Sequence, residues 1–377
     1  MTMTEQTAQT PANASKGVLP SQALVALIRG GAIRAGEPID DEQIQPASLD
    51  LRLGDKAYRV RASFLPGKHN TVRDRIDKLA MHEFDIGGGA VLERGCVYIV
   101  PLMESVRLPA DHSAIGNPKS STGRLDVFTR LITDCGVEFD QVRSGYEGPL
   151  YAEIAPRTFS VLVRKGTRLN QLRVRRGVAS RSDAEHLKLQ EELNIIDAPL
   201  SEDDIKNGVP ITVDVAGDPD TGLIGYRAQS HTGLIDMDRK NHYRPGDFWE
   251  PMYRSNGPSL ILDPGEFYIL ASKEAVRVPT NYAAEMIAYD TLVGEFRVHY
   301  AGFFDPGFGD PTAGGQGSRA VLEVRSFEVP FVIEHGQIVG RLVYEPLAES
   351  PDKIYGQDLK SSYQSQGLKL SKHFVAR

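Results

Sequence analysis

Residues 91–114 read "VLERGCVYIVPLMESVRLPADHSA", and residues 261–284 read "ILDPGEFYILASKEAVRVPTNYAA". Aligned without a gap, nine of the 24 positions are identical, where chance gives about one or two. The same offset pairs Glu153 with Glu323 and Gly166 with Gly336, and "ASLDLRLG" (47–54) resembles "ITVDVAG" (211–217). The turns between these stretches differ in length, so the register lapses and returns. Units of this size are too long for a solenoid. The pattern predicts two copies of one β domain, 17–178 and 200–377. Residues 1–16 then form a disordered tail, and 179–199 a linker able to carry a helix.

Composition sets bounds on the rest. A chain of 377 residues is long enough for two or three domains. Its 43 basic and 50 acidic residues leave a formal charge of −7, which argues against a nucleic-acid binder. Two cysteines, Cys96 and Cys135, form no pairing pattern and suit a reducing cytoplasm. The polar opening "MTMTEQTAQTPANASK" lacks the apolar core of a signal peptide, and no apolar run approaches a membrane span. Abundant Gly and Pro separate strand-like runs such as "CVYIVPL" (96–102), "SVLVRKG" (160–166), "EFYILAS" (266–272) and "PFVIEHG" (330–336). Helical spacing is confined to "SQALVALIRGGAI" (21–33), with Ser21 as candidate cap, and to the charged stretch 180–196.

The differences between the copies carry the functional signal. The first has "NPKSSTGR" (117–124), a cluster of groups able to hold phosphate although no P-loop; the second has "IAYDTLVG" (287–294) there. An aspartate in place of the first serine repels what Arg124 attracts. The second copy instead carries "HYAGFFDPGFGD" (299–310), then a strand containing Glu323, then the polar tail "IYGQDLKSSYQSQGLKLSKHF" (354–374). The first copy's turn, "DQVRSGYEG" (140–148), lacks Asp-Pro-Gly. Neither copy has every part.

In this combination the chain resembles the deoxycytidine triphosphate deaminases of the trimeric dUTPase-like superfamily. The resemblance implies a mainly β fold: two tandem dUTPase-like distorted β-barrel or jelly-roll domains with few short helices. It matches Ser120, Ser121 and Arg124 to a phosphate and water-positioning loop. Ala301, Asp305, Pro306 and Gly307 match a hairpin that holds sugar and base, and Glu323 a strand glutamate doing acid–base chemistry. Tyr355, Tyr363 and Gln366 match a tail that covers the nucleotide. Two departures stand out: the duplication itself, and Ser362 where a lysine usually precedes the tyrosine, leaving Lys360 as a substitute.

The activity so implied is conversion of dCTP to dUTP and ammonia, in pyrimidine deoxynucleotide synthesis. Zinc deaminases use an H-x-E…P-C-x-x-C pattern; here His82-Glu83 lacks the spacing and the cysteines lie far apart. The expectation is therefore a zinc-free route. Glu323 takes the water proton, Ser120 orients the water and Arg124 stabilises developing charge. Lys119, the Ser120-Ser121 amides and the tail meet a triphosphate accompanied by Mg²⁺. Glu153 is the reserve candidate, because a threefold ring of first copies would pair the loop with it. Sites of this family lie between neighbouring units, which implies a homo-oligomer with sites between domains or subunits. Two alternatives stay open: a dUTP pyrophosphatase or bifunctional enzyme releasing dUMP, and a non-catalytic nucleotide sensor or scaffold.

Overall fold

In the computed structural model, strands that match in sequence also match in place. The residues described are 15–178, 182–254, 257, 259–288, 296–298, 302–356 and 367–376. Among them the chain is mainly β, with four short α-helices. Val97–Arg107 corresponds to Phe267–Val276, His112–Pro118 to Tyr282–Ala288, and Glu147–Pro156 to Ser318–Ser326. The cross-strand registers agree: Ile99 lies opposite Glu153, and Ile269 opposite Glu323. Small devices are kept too. The Tyr98 hydroxyl accepts from the Glu93 amide at 3.1 Å, and the Tyr268 hydroxyl from the Asp263 amide at 2.9 Å. Buried Glu104 accepts from the Arg52 amide and buried Glu274 from the Thr212 amide, each at 2.8 Å.

Among the described residues the expected distorted barrel is an open one. Among the described residues the largest sheet has nine strands, and its main path runs from Trp249–Tyr253 at one edge to Phe303–Phe304 at the other. A strand that changes partners explains this. Phe267–Val276 pairs Val213 and Asp214 at one part of its length, and Tyr226 and Arg227 at another. Its pairing with Ser318–Ser326 shifts register between Ala271 and Ala275. Such an irregularity bends a strand and redirects its pairing.

The two copies are interlocked. The larger apolar core joins Leu19, Val100, Ile154 and Leu172 of the first copy to Tyr226, Ile235, Trp249 and Phe374 of the second. Ile235–Asp236 adds a parallel strand beside Val161–Val163. The entry strand is shared as well: the Ala348 amide donates to the Val18 carbonyl at 2.8 Å. In the reverse direction, the stretch read as a linker supplies Leu189, Ile195 and Ile196 to the second copy's core.

Helix boundaries differ slightly from the sequence reading. Pro20, not Ser21, is the N-cap of Ser21–Arg29, with extended backbone and no side-chain capping bond. Gly30 ends that helix, and Ile33 already begins a strand. Within 180–196 the helix is Asp183–Leu193, opened by a reciprocal Ser182–Glu185 capping box. Among the described residues no helix is long and apolar enough to cross a membrane.

Candidate active site

A cleft of about 1360 Å³ opens where the copies meet, with Ser120, Ser121 and Arg124 on one wall and Asp305, Glu323 and Tyr355 on the other. The strand His112–Pro118 ends at a proline, which has no amide to continue a ladder. One helical turn, Ser120–Gly123, follows. Small polar residues suit such a turn because their side chains compete with regular backbone bonding. Ser120 is exposed to the cleft, whereas Ser121 and Arg124 are buried. Asp126 then takes a positive φ of 53°, a conformation that aspartate tolerates better than most residues, and the next strand begins at Val127.

Arg124 reaches across the junction. Its Nε lies 3.9 Å from Glu323 Oε1, and its Nη1 donates to the Lys369 carbonyl at 3.0 Å. Glu323 is 4% exposed. Burial pushes its carboxyl up to about 8, opposed by the Arg124 charge and its own backbone amide. An ion pair at this distance is worth roughly 4 kcal/mol at an effective dielectric constant near 20. Desolvation still prevails, so the unliganded carboxyl is largely neutral at pH 7.

Two buried arginines fix this geometry. Arg325, two residues beyond Glu323, pairs with Asp126, two residues beyond Arg124, and donates to Thr158 Oγ1 at 2.9 Å. Arg173 of the first copy is almost wholly buried, donates to the Ala284 carbonyl at 2.8 Å and lies 4.0 Å from the Phe303 ring centroid. It also approaches Asp305 at 3.5 Å. Burial raises the Asp305 carboxyl, while Arg173 opposes that shift. Gly307 turns the chain here with φ 91°; a Cβ on it would stand 2.3 Å from Ile354 Cγ2. Only glycine fits so close an approach. The Tyr355 amide donates to the Pro306 carbonyl at 2.8 Å, bringing the start of the tail against the turn.

The structure therefore gathers Ser120, Ser121, Arg124, Lys119, Asp305, Glu323 and Tyr355 about one cleft, with Gly307 in its turn. Ala301, Lys360, Tyr363 and Gln366 lie outside the described residues. Glu153 is placed differently from its repeat partner. It is buried against Arg130, which pairs with it and lies 3.4 Å from the Phe139 ring centroid. Glu153 does not line the cleft. Sequence reading missed Asp50, which pairs with Lys119 on the cleft wall. It also missed Arg173 and Arg325, and read residues 367–374 as part of a covering tail without seeing that Leu370 and Phe374 pack in the core. Asp50 sits within the repeated entry segment "ASLDLRLG", a signal that could have drawn attention to it.

Fold and cleft together define a duplicated β protein with one cationic, carboxyl-bearing cleft at the junction of its copies. The family model for the 2'-deoxycytidine 5'-triphosphate deaminase N-terminal domain matches residues 15–178, and that for the C-terminal domain matches 182–374. The chain belongs to the 2'-deoxycytidine 5'-triphosphate deaminase family. The crystal structure of the 2'-deoxycytidine 5'-triphosphate deaminase from Agrobacterium tumefaciens is 57% identical, with a TM-score of 0.84 over 88% of this chain and 99% of that one. A dCTP deaminase of Halorubrum lacusprofundi is 31% identical over 140 residues, covering 36% of this chain and 66% of the relative. A dUMP-forming dCTP deaminase of Halobacterium salinarum is 32% identical over 115 residues, covering 29% and 54%. The matched part of this chain thus spans between half and two thirds of these two relatives.

Proposed function

We propose that this protein deaminates dCTP to dUTP and ammonia at the cleft between its two copies. The observation that carries the reading is the buried Glu323 carboxyl facing Arg124 from the other copy. A carboxyl that titrates near the working pH can both take and return a proton. In the proposed sequence Glu323 takes a proton from water as the water oxygen bonds to cytosine C4. That proton and the second one from water then pass to the ring and to the exocyclic nitrogen. The C4–N bond breaks, ammonia leaves, and C4 retains the oxygen of uracil. Ser120 orients the water, Arg124 stabilises the charge gathering at C4, and Asp305 with the Gly307 turn holds sugar and base. Lys119, Ser121, Tyr355, Lys360, Tyr363 and Gln366 complete the nucleotide contacts.

The route is proposed to be zinc-independent, because the sequence lacks the spaced His and Cys ligands, and the glutamate set between them, of zinc deaminases. Among the described residues no group of three or more His, Cys, Asp or Glu could hold a metal ion, so Mg²⁺ would be held by the triphosphate, with no ligand from the protein, and would neutralise part of its charge. A second reading, release of dUMP, draws support from relatives named dUMP-forming.

The test is incubation with dCTP and Mg²⁺, resolving dUTP, dUMP and ammonia. Ammonia should appear with dUTP, and Glu323→Gln should lower kcat by about 10²-fold or more. Ammonia with dUMP would favour the second reading. Binding without any product would leave a nucleotide sensor.

A further inference from the structure

The two copies meet through the same face of the same pair of strands. In the first copy Arg173 lies opposite Ile115 and Arg175 opposite Ser113; in the second, Val343 lies opposite Glu285 and Glu345 opposite Ala283. The register that relates Glu153 to Glu323 carries Arg173 onto Val343, Arg175 onto Glu345 and Ile115 onto Glu285. Residues two apart on a strand share a face, as do residues directly opposite one another. One face therefore bears two arginines, and its counterpart two glutamates. At the junction Arg175 engages both glutamates: its Nε donates to Glu345 Oε2 at 2.7 Å, and its Nη2 to Glu285 Oε2 at 3.0 Å. We propose that this face is a recognition surface whose partner is the copy of opposite type, with Arg175 against Glu285 and Glu345 admitting the second copy and refusing another first copy. The inference concerns how the copies choose each other and stands apart from the reaction assigned to the cleft.

These charges select more than they stabilise. The Arg175 and Glu285 side chains are each 20% exposed and that of Glu345 10%, so little water is left to screen them. Burial pushes the Glu285 carboxyl up, and Arg175 is the leading charge that opposes the shift. A buried ion pair contributes little net stability, because desolvation offsets most of the attraction, whereas a buried charge without its partner is costly. The apolar part of the junction carries no such preference. Val18 and Ala47 of the first copy pack with Ala283 and Leu347 of the second, and aliphatic contacts do not distinguish one copy from the other. Were two first copies to meet here, Arg175 would face Arg175, with Ile115 where Glu285 now stands. Two second copies would set Glu285 and Glu345 against their own kind. The mixed contact is the one that neutralises both faces, and it is the one that places Arg124 beside Glu323. Repelling the wrong partner in this way sharpens a choice that attraction alone leaves open.

The experiment compares the full-length wild type with four variants. Arg175→Glu sets acids against acids, and Glu285→Gln/Glu345→Arg sets arginine against arginine. An inverted set combines these three substitutions, and an uncharged set carries Arg175→Met, Glu285→Gln and Glu345→Gln. Trp249, whose ring centroid lies 5.4 Å from that of Phe159 in the first copy, reports docking through its emission. Hydrodynamic radius reports separation of the copies, and far-ultraviolet circular dichroism reports retained β structure. Both like-charge variants should show red-shifted emission, a larger radius and a kcat/KM for dCTP at least about tenfold lower. The inverted set should regain the wild-type emission and radius and most of the activity, and the uncharged set should keep the copies docked. Wild-type emission and radius in the like-charge variants overturn the proposal. An inverted set as loosened as either of them overturns it too, because shape and not charge would then decide; this comparison holds even where a like-charge variant does not fold. An uncharged set equally loosened would show attraction alone and overturn the refusal of like copies. Emission and radius decide the matter even in a protein that releases no ammonia, so failure of the proposed reaction is read separately.

Discussion

Glu323 is held between two opposing influences, and its pH behaviour follows from which one wins. Burial raises its carboxyl to about 8, and Arg124 pulls the other way. If the carboxylate is the base, kcat/KM for dCTP rises with pH and levels off near pH 8. Arg124→Met removes the opposing charge, so the rising limb should move to higher pH. An unmoved limb in that variant would mean that some other group sets the profile. Stability gives an independent check. The folded carboxyl titrates above its unfolded value, so the folded state is favoured most below about pH 4.5. That advantage is lost as pH rises through about 8. Glu323→Gln has no such loss. Its melting temperature should exceed that of wild type by a margin that grows between about pH 4.5 and 8 and then stays constant. A margin independent of pH would show that the carboxyl titrates normally.

At the scale of elements, the last residues of the chain behave as part of the first copy's core. Phe374 is buried among Trp249, Phe248 and Tyr243, and the same segment supplies the Lys369 carbonyl to Arg124. Phe374→Ala should cost about 3–5 kcal/mol of this docking, enough to free the segment. Trp249 is the chain's only tryptophan, so its emission reads the event directly: a red shift and a raised KM for dCTP. An unchanged emission would show that the segment does not depend on that ring. The sequence signalled this element poorly, and the reason is physical. Residues 354–374 look like a polar tail because their apolar members are few, and burial at Leu370 and Phe374 depends on a partner surface more than 100 residues away. The same holds for Arg173 and Arg325. An isolated arginine in a strand has no local pattern, and its role appears only when Ala284, Phe303 or Asp126 arrives from the other copy. Glu323, which has a glutamate partner in the other copy, was legible through the family resemblance, whereas the loop was legible because the repeat supplied an internal comparison. One copy kept what the other changed.

For the whole molecule, duplication turns a contact between units into a contact within one chain. Ser120 and Arg124 come from the first copy and Glu323 from the second, yet they line one cleft of a single polypeptide. Arg173, Arg325 and the strand Ile235–Asp236 hold the two copies in that relation. Two kinds of domain cannot alternate around a ring of three positions, but a site completed within one chain does not depend on such a ring. Any oligomer of the chain then repeats finished sites rather than creating them. The consequence can be measured by co-expressing Ser120→Ala with Glu323→Gln and purifying the mixed assembly by two different tags. A cleft built within one chain gives every site one defect, so the mixture should be no more active than either variant alone. A cleft built between chains would unite an intact loop with an intact glutamate in part of the sites and restore measurable ammonia release. That restoration would move the working cleft to a subunit boundary, and the Arg124–Glu323 contact of one chain would then no longer describe it.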